Sequence, residues 1–141
     1  MKADNTIHLI GKVKFLMDQF IITELNKQGI DGIVPSHGDI IISLLDNETL
    51  TMSELSDKIQ KDPSTVTTLV KKLNDFGYTQ VLKDSTDKRT NRVSLTAKGK
   101  ALESIFINIS EKIYDKQYQN INEKEKENFR DVLKKMIENF K

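Results

Sequence analysis

The sequence predicts a mainly α-helical protein with one small β-hairpin, and three observations predict it. Apolar residues recur at three- and four-residue steps over most of the 141 residues. Proline occurs only at Pro35 and Pro63, and there are six glycines, so long helices are permitted. Between Gly77 and Thr96 the periodicity changes from that of a helix to the polar–apolar alternation of strands.

The elements follow in order. Ile7, Ile10, Val13, Met17, Phe20, Ile21 and Leu25 form a helical stripe, which Leu9, Phe15, Leu16 and Ile22 widen to well over half the circumference. A helix apolar on several sides has to be buried by more than one neighbour. Gly29 and Gly32 close it. The next helix opens at Pro35, with Ser36 as the expected N-cap and Asp39 in the first turn. Ile40, Ile41, Leu44 and Leu45 share one face, and Asp46-Asn47-Glu48 stops it. Thr51 with Glu54 is a capping box ahead of a two-turn helix carrying Leu55 and Ile59. Asp62 followed by Pro63 starts another, with an N-cap acid and a proline whose missing N–H costs nothing at the first helical position. Val66, Leu69, Val70 and Leu73 form its inner stripe and Gly77 closes it. Two short helices joined by a tight turn have the outline of a helix-turn-helix.

Tyr78–Lys83 and Arg92–Thr96 read as two strands, separated by eight polar residues, Asp84–Asn91, which form a long charged tip. Thr96 caps a second long helix, expected over 97–121, with Leu102, Ile105, Phe106, Ile109 and Ile113 inward. Asn122 with Glu125 is a further capping box, and it introduces a last helix striped by Phe129, Val132, Leu133, Met136, Ile137 and Phe140. The fold expected is therefore mainly α with a small β-hairpin wing: a winged helix-turn-helix with N- and C-terminal dimerisation helices. Residues 1–32 would be the N-terminal dimerisation helix, 33–96 the winged unit and 97–141 the C-terminal dimerisation helices. The flanking stripes exceed what so small a central unit can cover, and a two-fold homodimer would cover them. A monomeric helical bundle with an inserted hairpin is the alternative.

Composition narrows the function. With no cysteine, disulfides, thiolate metal ligands, thiol nucleophiles and thiol redox sensing are excluded. Only His8 and His37 are available as imidazoles, so neither a zinc centre nor another cofactor is expected. His8 sits among apolar positions and reads as interface or core. His37 could line a ligand crevice or be a partly exposed helix-start residue. No Gly-rich phosphate loop or nucleophile motif supports an enzyme. No apolar run approaches the length that spans a bilayer, and the N-terminus lacks a signal-peptide pattern, so a cytoplasmic protein with no membrane partner is expected.

Charge is unevenly placed. The whole chain carries +1, but residues 58–100 hold 10 basic and 4 acidic groups, a local +6 that suggests a polyanion-binding face. Ser64, Thr65, Thr67, Thr68, Lys71 and Lys72 lie on the helix after Pro63, away from or at the edge of its apolar stripe. Short hydroxyl side chains near a helix N-terminus suit close approach to base edges or phosphates, and the lysines suit phosphates. At the hairpin tip, Asp87, Lys88 and Arg89, followed by Arg92, put three cations within a few positions; an arginine there can enter a narrow minor groove, with Asp87 orienting it. Capping and solvation account for the same residues without DNA.

Residues 62–77, DPSTVTTLVKKLNDFG, resemble the recognition helix of the MarR family of winged helix-turn-helix regulators. Asp87-Lys88-Arg89 and then RVSLTAKG over 92–99 resemble that family's wing and the start of its next helix, and TMSELS over 51–56 matches the preceding helix. The resemblance implies a dimeric repressor of double-stranded DNA that binds a pseudopalindromic operator. It places Ser64, Thr65, Thr67 and Thr68 in the major groove and Arg89, braced by Asp87, in the minor groove. It also implies release of DNA by a small aromatic or amphipathic ligand entering a crevice between the dimerisation and DNA-binding parts. Thr68 and Val81 stand where many members carry arginine, so operator sequence does not transfer from relatives. Those two losses also motivate a different reading, a winged-helix adaptor that binds protein and has lost DNA.

Overall fold

The structure, a computed structural model, describes residues 2–141. Helix α1 (Thr6–Lys27) leads through a short loop to α2 (Pro35–Asp46), and strand β1 (Leu50–Thr51) then runs directly into α3 (Met52–Ile59). Helix α4 (Pro63–Asp75) is followed by the hairpin β2 (Thr79–Lys83) and β3 (Asn91–Leu95). The chain ends with α5 (Ala97–Lys100), α6 (Glu103–Gln117) and α7 (Glu123–Asn139). This is the mainly helical, winged architecture expected from the periodicities.

Local capping chemistry sets most of the boundaries. Thr51 Oγ1 accepts from the Glu54 N–H at 3.1 Å, while the Glu54 carboxylate accepts from the Thr51 N–H at 3.1 Å. The same reciprocal pair joins Asn122 and Glu125 at the start of α7. Helix α4 ends in a Schellman motif: the Gly77 N–H reaches the Asn74 carbonyl at 2.9 Å and the Tyr78 N–H reaches the Leu73 carbonyl at 3.0 Å. That motif holds Gly77 at φ +82°, a left-handed backbone that glycine adopts without a Cβ penalty.

Four details differ from the sequence reading. Ser36 is not the N-cap of α2; Val34 is, and Pro35 takes the first helical position, because its fixed φ suits that place and pushes the preceding residue to extended backbone. A third strand exists: β1 pairs antiparallel with β3 (Leu50 opposite Val93, Thr51 opposite Arg92), giving the sheet order β1-β3-β2. The first hairpin strand begins one residue later than expected, at Thr79, and the second is displaced back by one, so the tip is 84–90 and Asn91 joins β3. The helix expected over 97–121 is two helices and ends at Gln117, since the Leu102 N–H bonds the Gly99 carbonyl three residues back and tightens the chain between α5 and α6.

One hydrophobic cluster holds the molecule together. Ile40 and Ile41 of α2, Leu55 of α3, Val66, Val70 and Leu73 of α4 and Val93 of β3 are completely buried at its centre. Leu25 from α1 and Leu102, Phe106 and Ile109 from the carboxy-terminal third enter the same cluster, so the winged unit is packed directly against its flanks. The buried Glu24 carboxylate clasps α1 to α6, accepting from Lys27 Nζ at 3.2 Å and Lys112 Nζ at 3.3 Å. The Lys27 hydrogen bond, aided by Lys112, keeps this carboxyl below the usual range despite its burial.

Two apolar surfaces have no cover among the described residues. Along the amino-terminal half of α1, Ile7 is 88% exposed and Leu9, Ile10, Val13, Phe15 and Leu16 are also exposed. Helix α7 has no buried residue, and Phe129, Val132, Ile137 and Phe140 lie open, Phe140 by 91%. Contacts that attach α7 to α6 are polar and aromatic: Lys126 Nζ donates to the Tyr114 hydroxyl and lies 5.0 Å from the Tyr114 ring centroid and 5.5 Å from that of Tyr118. His8 is exposed on α1, within the first of these surfaces. No helix among the described residues is long and apolar enough to cross a membrane.

Candidate nucleic-acid interface

Helix α4 is built to present one face. Its N-cap Asp62 accepts the Thr65 N–H at 2.9 Å, the Ser64 hydroxyl at 2.6 Å and the Thr65 hydroxyl at 2.9 Å. These bonds, the Ser64 hydroxyl foremost, hold the Asp62 carboxyl at about 2. Val66, Val70 and Leu73 anchor the inner face. Ser64, Thr67, Thr68 and Lys71, at positions i, i+3, i+4 and i+7, form the opposite, exposed face, with Lys72 exposed and Thr65 half-buried beside it. The Thr67 hydroxyl donates to the Pro63 carbonyl at 2.9 Å and the Thr68 hydroxyl to the Ser64 carbonyl at 3.1 Å. Lys72 Nζ lies 5.9 Å from the Phe76 ring centroid, toward the carboxy end of the helix.

The wing tip is organised by two aspartates. Asp84 Oδ1 accepts from the Thr86 N–H and hydroxyl, both at 2.8 Å, and its Oδ2 faces Arg92 at 3.3 Å. The Thr86 bonds, led by the N–H, hold the Asp84 carboxyl at about 2. Asp87 accepts from the Arg89 N–H at 3.0 Å, from Arg89 Nε at 3.3 Å and from the Thr90 hydroxyl at 3.3 Å, which lowers its carboxyl below the usual range. Arg89 itself is 93% exposed at the side chain, with Lys88 exposed next to it. The aspartate expected to orient the wing arginine does touch it.

Arg92 has different surroundings from the other wing cations. Its Nε donates to the Thr49 hydroxyl at 2.8 Å, and its guanidinium also pairs with Asp84 at 3.3 Å and Glu54 at 3.7 Å. It thereby ties β3 to the wing tip, to the loop before β1 and to the capping box of α3. Asp84, Thr49 and Glu54 were not singled out as site residues from sequence. The Asp-Ser-Thr run over 84–86 carried a signal for the first, because Asp and Thr two apart form such turns. Thr49 and Glu54 are brought to Arg92 only by the β1–β3 pairing.

The caps have an acid signature. Asp62 and Asp84, each at about 2 in the fold against 3.8 unperturbed, contribute stability that is complete above about pH 4 and lost as pH falls through about 2. The expected result is that Asp62→Asn/Asp84→Asn flattens the acid limb of the unfolding curve between pH 4 and 2 while pH 7 stability changes less than the acid limb does; an unaltered acid limb would contradict it.

His37, open in the sequence reading, is buried at 4% exposure, and its Nδ1 accepts the Val34 N–H at 3.0 Å. Burial, with Lys72 a lesser cause, lowers its pKa, so it is a neutral helix-start acceptor. An apolar cavity of about 90 Å³ between α1, α2 and α6 is lined by Ile21, Leu25, Ile42, Phe106, Ile109 and Ile113. Asp39 stands at its wall, its carboxyl raised mainly by burial. An open groove of about 720 Å³ adjoins it, sharing Ile42, Phe106 and Ser110. Among the described residues no group of three or more His, Asp or Glu is placed to hold a metal ion.

A two-helix unit with an outward polar face, followed by a projecting hairpin with an exposed tip arginine, defines a winged helix-turn-helix protein. Residues 34–90 match the model of the MarR family. The chain is 32% identical over 107 residues to the HTH-type transcriptional regulator SarZ of Staphylococcus aureus strain MRSA252, covering 72% of this chain and 71% of that protein. To SarZ of Staphylococcus epidermidis it is 28% identical over 98 residues, which span 70% of this chain and 65% of that protein's length. Among solved structures, that of a Staphylococcus aureus MepR–DNA complex superposes with a TM-score of 0.87 at 21% identity, covering 98% of this chain and 99% of the other. The chain belongs to the MarR family.

Proposed function

We propose that the protein is a homodimeric, DNA-binding transcriptional regulator of the cytoplasm, which represses from a pseudopalindromic operator and is released by a small ligand. The observation that carries this reading is the pairing of two features on one rigid unit: the outward Ser64–Thr67–Thr68–Lys71 face of α4 and the Arg89 tip held out by Asp87. The first enters the major groove with Thr65 and Lys72 at its edges; the second, with Lys88, reaches the adjacent minor groove. Arg92 braces the wing from its base. The name of the SarZ relatives, HTH-type transcriptional regulator, and the DNA bound in the MepR structure support the same reading.

The open apolar faces of α1 and α7 support a dimer, which would set two α4 helices on the two half-sites of an operator. The apolar cavity between α1, α2 and α6 supports the ligand step only together with the open groove that adjoins it, since the cavity alone is smaller than such a molecule needs. An aromatic or amphipathic molecule seated there would lie between the element leading into the winged unit and the helices that join the subunits.

Replacing the tip tests the wing. Arg89→Ala is expected to weaken operator binding by about tenfold or more and to reduce the salt slope by about 2, one contact per subunit, with melting temperature and sedimentation unchanged. Unaltered affinity in fluorescence anisotropy would remove the wing from the interface.

A further inference from the structure

We infer that α4 selects A·T pairs by contact between threonine methyl groups and thymine methyl groups, with Thr67 and Thr68 as the specificity-determining residues. The inference rests on the DNA-binding reading above and goes on to name the class of base pair. Its starting point is what the outward face lacks. From Ser64 to Lys72 no arginine, asparagine or glutamine is present, so of the side chains that read a base edge with paired hydrogen bonds only Lys71 and Lys72 remain. The amide of Asn74, on the last turn, is turned to the Thr79 hydroxyl instead.

The hydroxyls that remain have already committed their protons. Ser64 and Thr65 donate to Asp62, Thr67 donates to the Pro63 carbonyl and Thr68 to the Ser64 carbonyl. A hydroxyl has one proton to give, so while these bonds hold each of these oxygens accepts from a base and does not donate to it. The major-groove edge of a G·C pair offers the cytosine N4 amino group as a donor, but its guanine acceptors N7 and O6 find no donor among these hydroxyls and its edge has no methyl. The edge of an A·T pair offers the adenine N6 amino group as a donor and the thymine C5 methyl as an apolar surface. With their hydroxyls turned back to the helix, Thr67 and Thr68 leave a methyl and an accepting oxygen as their free groups, which complements that edge. Lys71, one turn further on the same face, is exposed and is left to meet phosphate.

The test separates this inference from the reading beneath it. Random-sequence duplexes are selected with the intact protein, and the recovered duplex is resynthesised with deoxyuridine for thymine, which removes only the C5 methyl. The selected half-sites should carry A·T at the positions facing α4, and each methyl lost should weaken binding by about fourfold. Thr68→Ser, which keeps the hydroxyl, should bind the thymine duplex more weakly and lose sensitivity to deoxyuridine at the position it faces. Thr68→Val, which keeps the methyl, should retain that sensitivity. Half-sites with G·C opposite α4, as Lys71 reading guanine would give, or a specific duplex indifferent to deoxyuridine, would overturn the methyl readout and leave the regulator reading standing. Enrichment of no sequence at all would overturn both.

Discussion

Truncation after Asn122 is expected to turn the proposed dimer into a monomer and to lower operator affinity by at least about a hundredfold. The variant loses α7, whose Phe129, Val132, Ile137 and Phe140 are open in the isolated chain. Side chains of this size contribute about 1.5–3 kcal/mol each when fully buried, so covering their exposed halves on a partner supplies several kcal/mol. The truncation removes no member of the central hydrophobic cluster, which ends at Ile109, so the winged unit should stay folded. A monomer that binds one half-site loses the second set of contacts, and with it the gain from linking the two binding events. Sedimentation velocity checks the first part and fluorescence anisotropy the second; a truncated protein that still sediments as a dimer would refute this interface.

Gly99→Ala is the second large effect, and it acts on folding. A Cβ built at Gly99 lies 2.1 Å from the Tyr78 carbonyl oxygen and 3.0 Å from its carbon, both of them backbone atoms. That carbonyl is fixed on its other side, since it accepts the Thr96 N–H at 3.0 Å and follows the Schellman turn that ends α4. The methyl therefore has to push apart α5 and the start of β2, where the winged unit meets the carboxy-terminal helices. The expected cost is about 3 kcal/mol, equivalent to a fall of about 10 °C in Tm. A variant melting within about 2 °C of the parent protein would contradict this account of the junction.

The elements that could be read from sequence are those whose cause is local. Thr51 with Glu54, Asp62 with Pro63, and Asn122 with Glu125 cap their helices through residues three apart or adjacent, and each helix starts where those residues say. The stripe of Val66, Val70 and Leu73 likewise settles which face of α4 turns outward, so the exposure of Ser64, Thr67, Thr68 and Lys71 was legible in the sequence. Strand β1 was not, because two residues carry no alternation; it exists only through pairing with β3 some forty positions later. The same pairing draws Arg92 to Thr49 and Glu54, so a residue that reads as the third cation of the tip is seated at the wing's base. The break between α5 and α6 lies where the Leu102 N–H bonds the Gly99 carbonyl three residues back, and the apolar stripe runs through it without interruption. Ser36 misled as a cap because Pro35 controls the backbone on both of its sides more strongly than a hydroxyl does.

The basic third of the chain and the open Arg89 tip lead to one central claim, that the protein, as the proposed dimer, binds duplex DNA through phosphates and base edges together. The most direct test is anisotropy titration of the purified protein against duplex from upstream of its own gene, at several salt concentrations, beside a scrambled duplex of the same composition. Lys71, Lys72, Lys88 and Arg89 on both subunits would neutralise about six to eight phosphates, giving a log–log salt slope of about −5 to −7, with tighter binding to the native duplex. A flat salt dependence with equal, weak binding to both duplexes would contradict the claim and favour a winged-helix adaptor that binds protein.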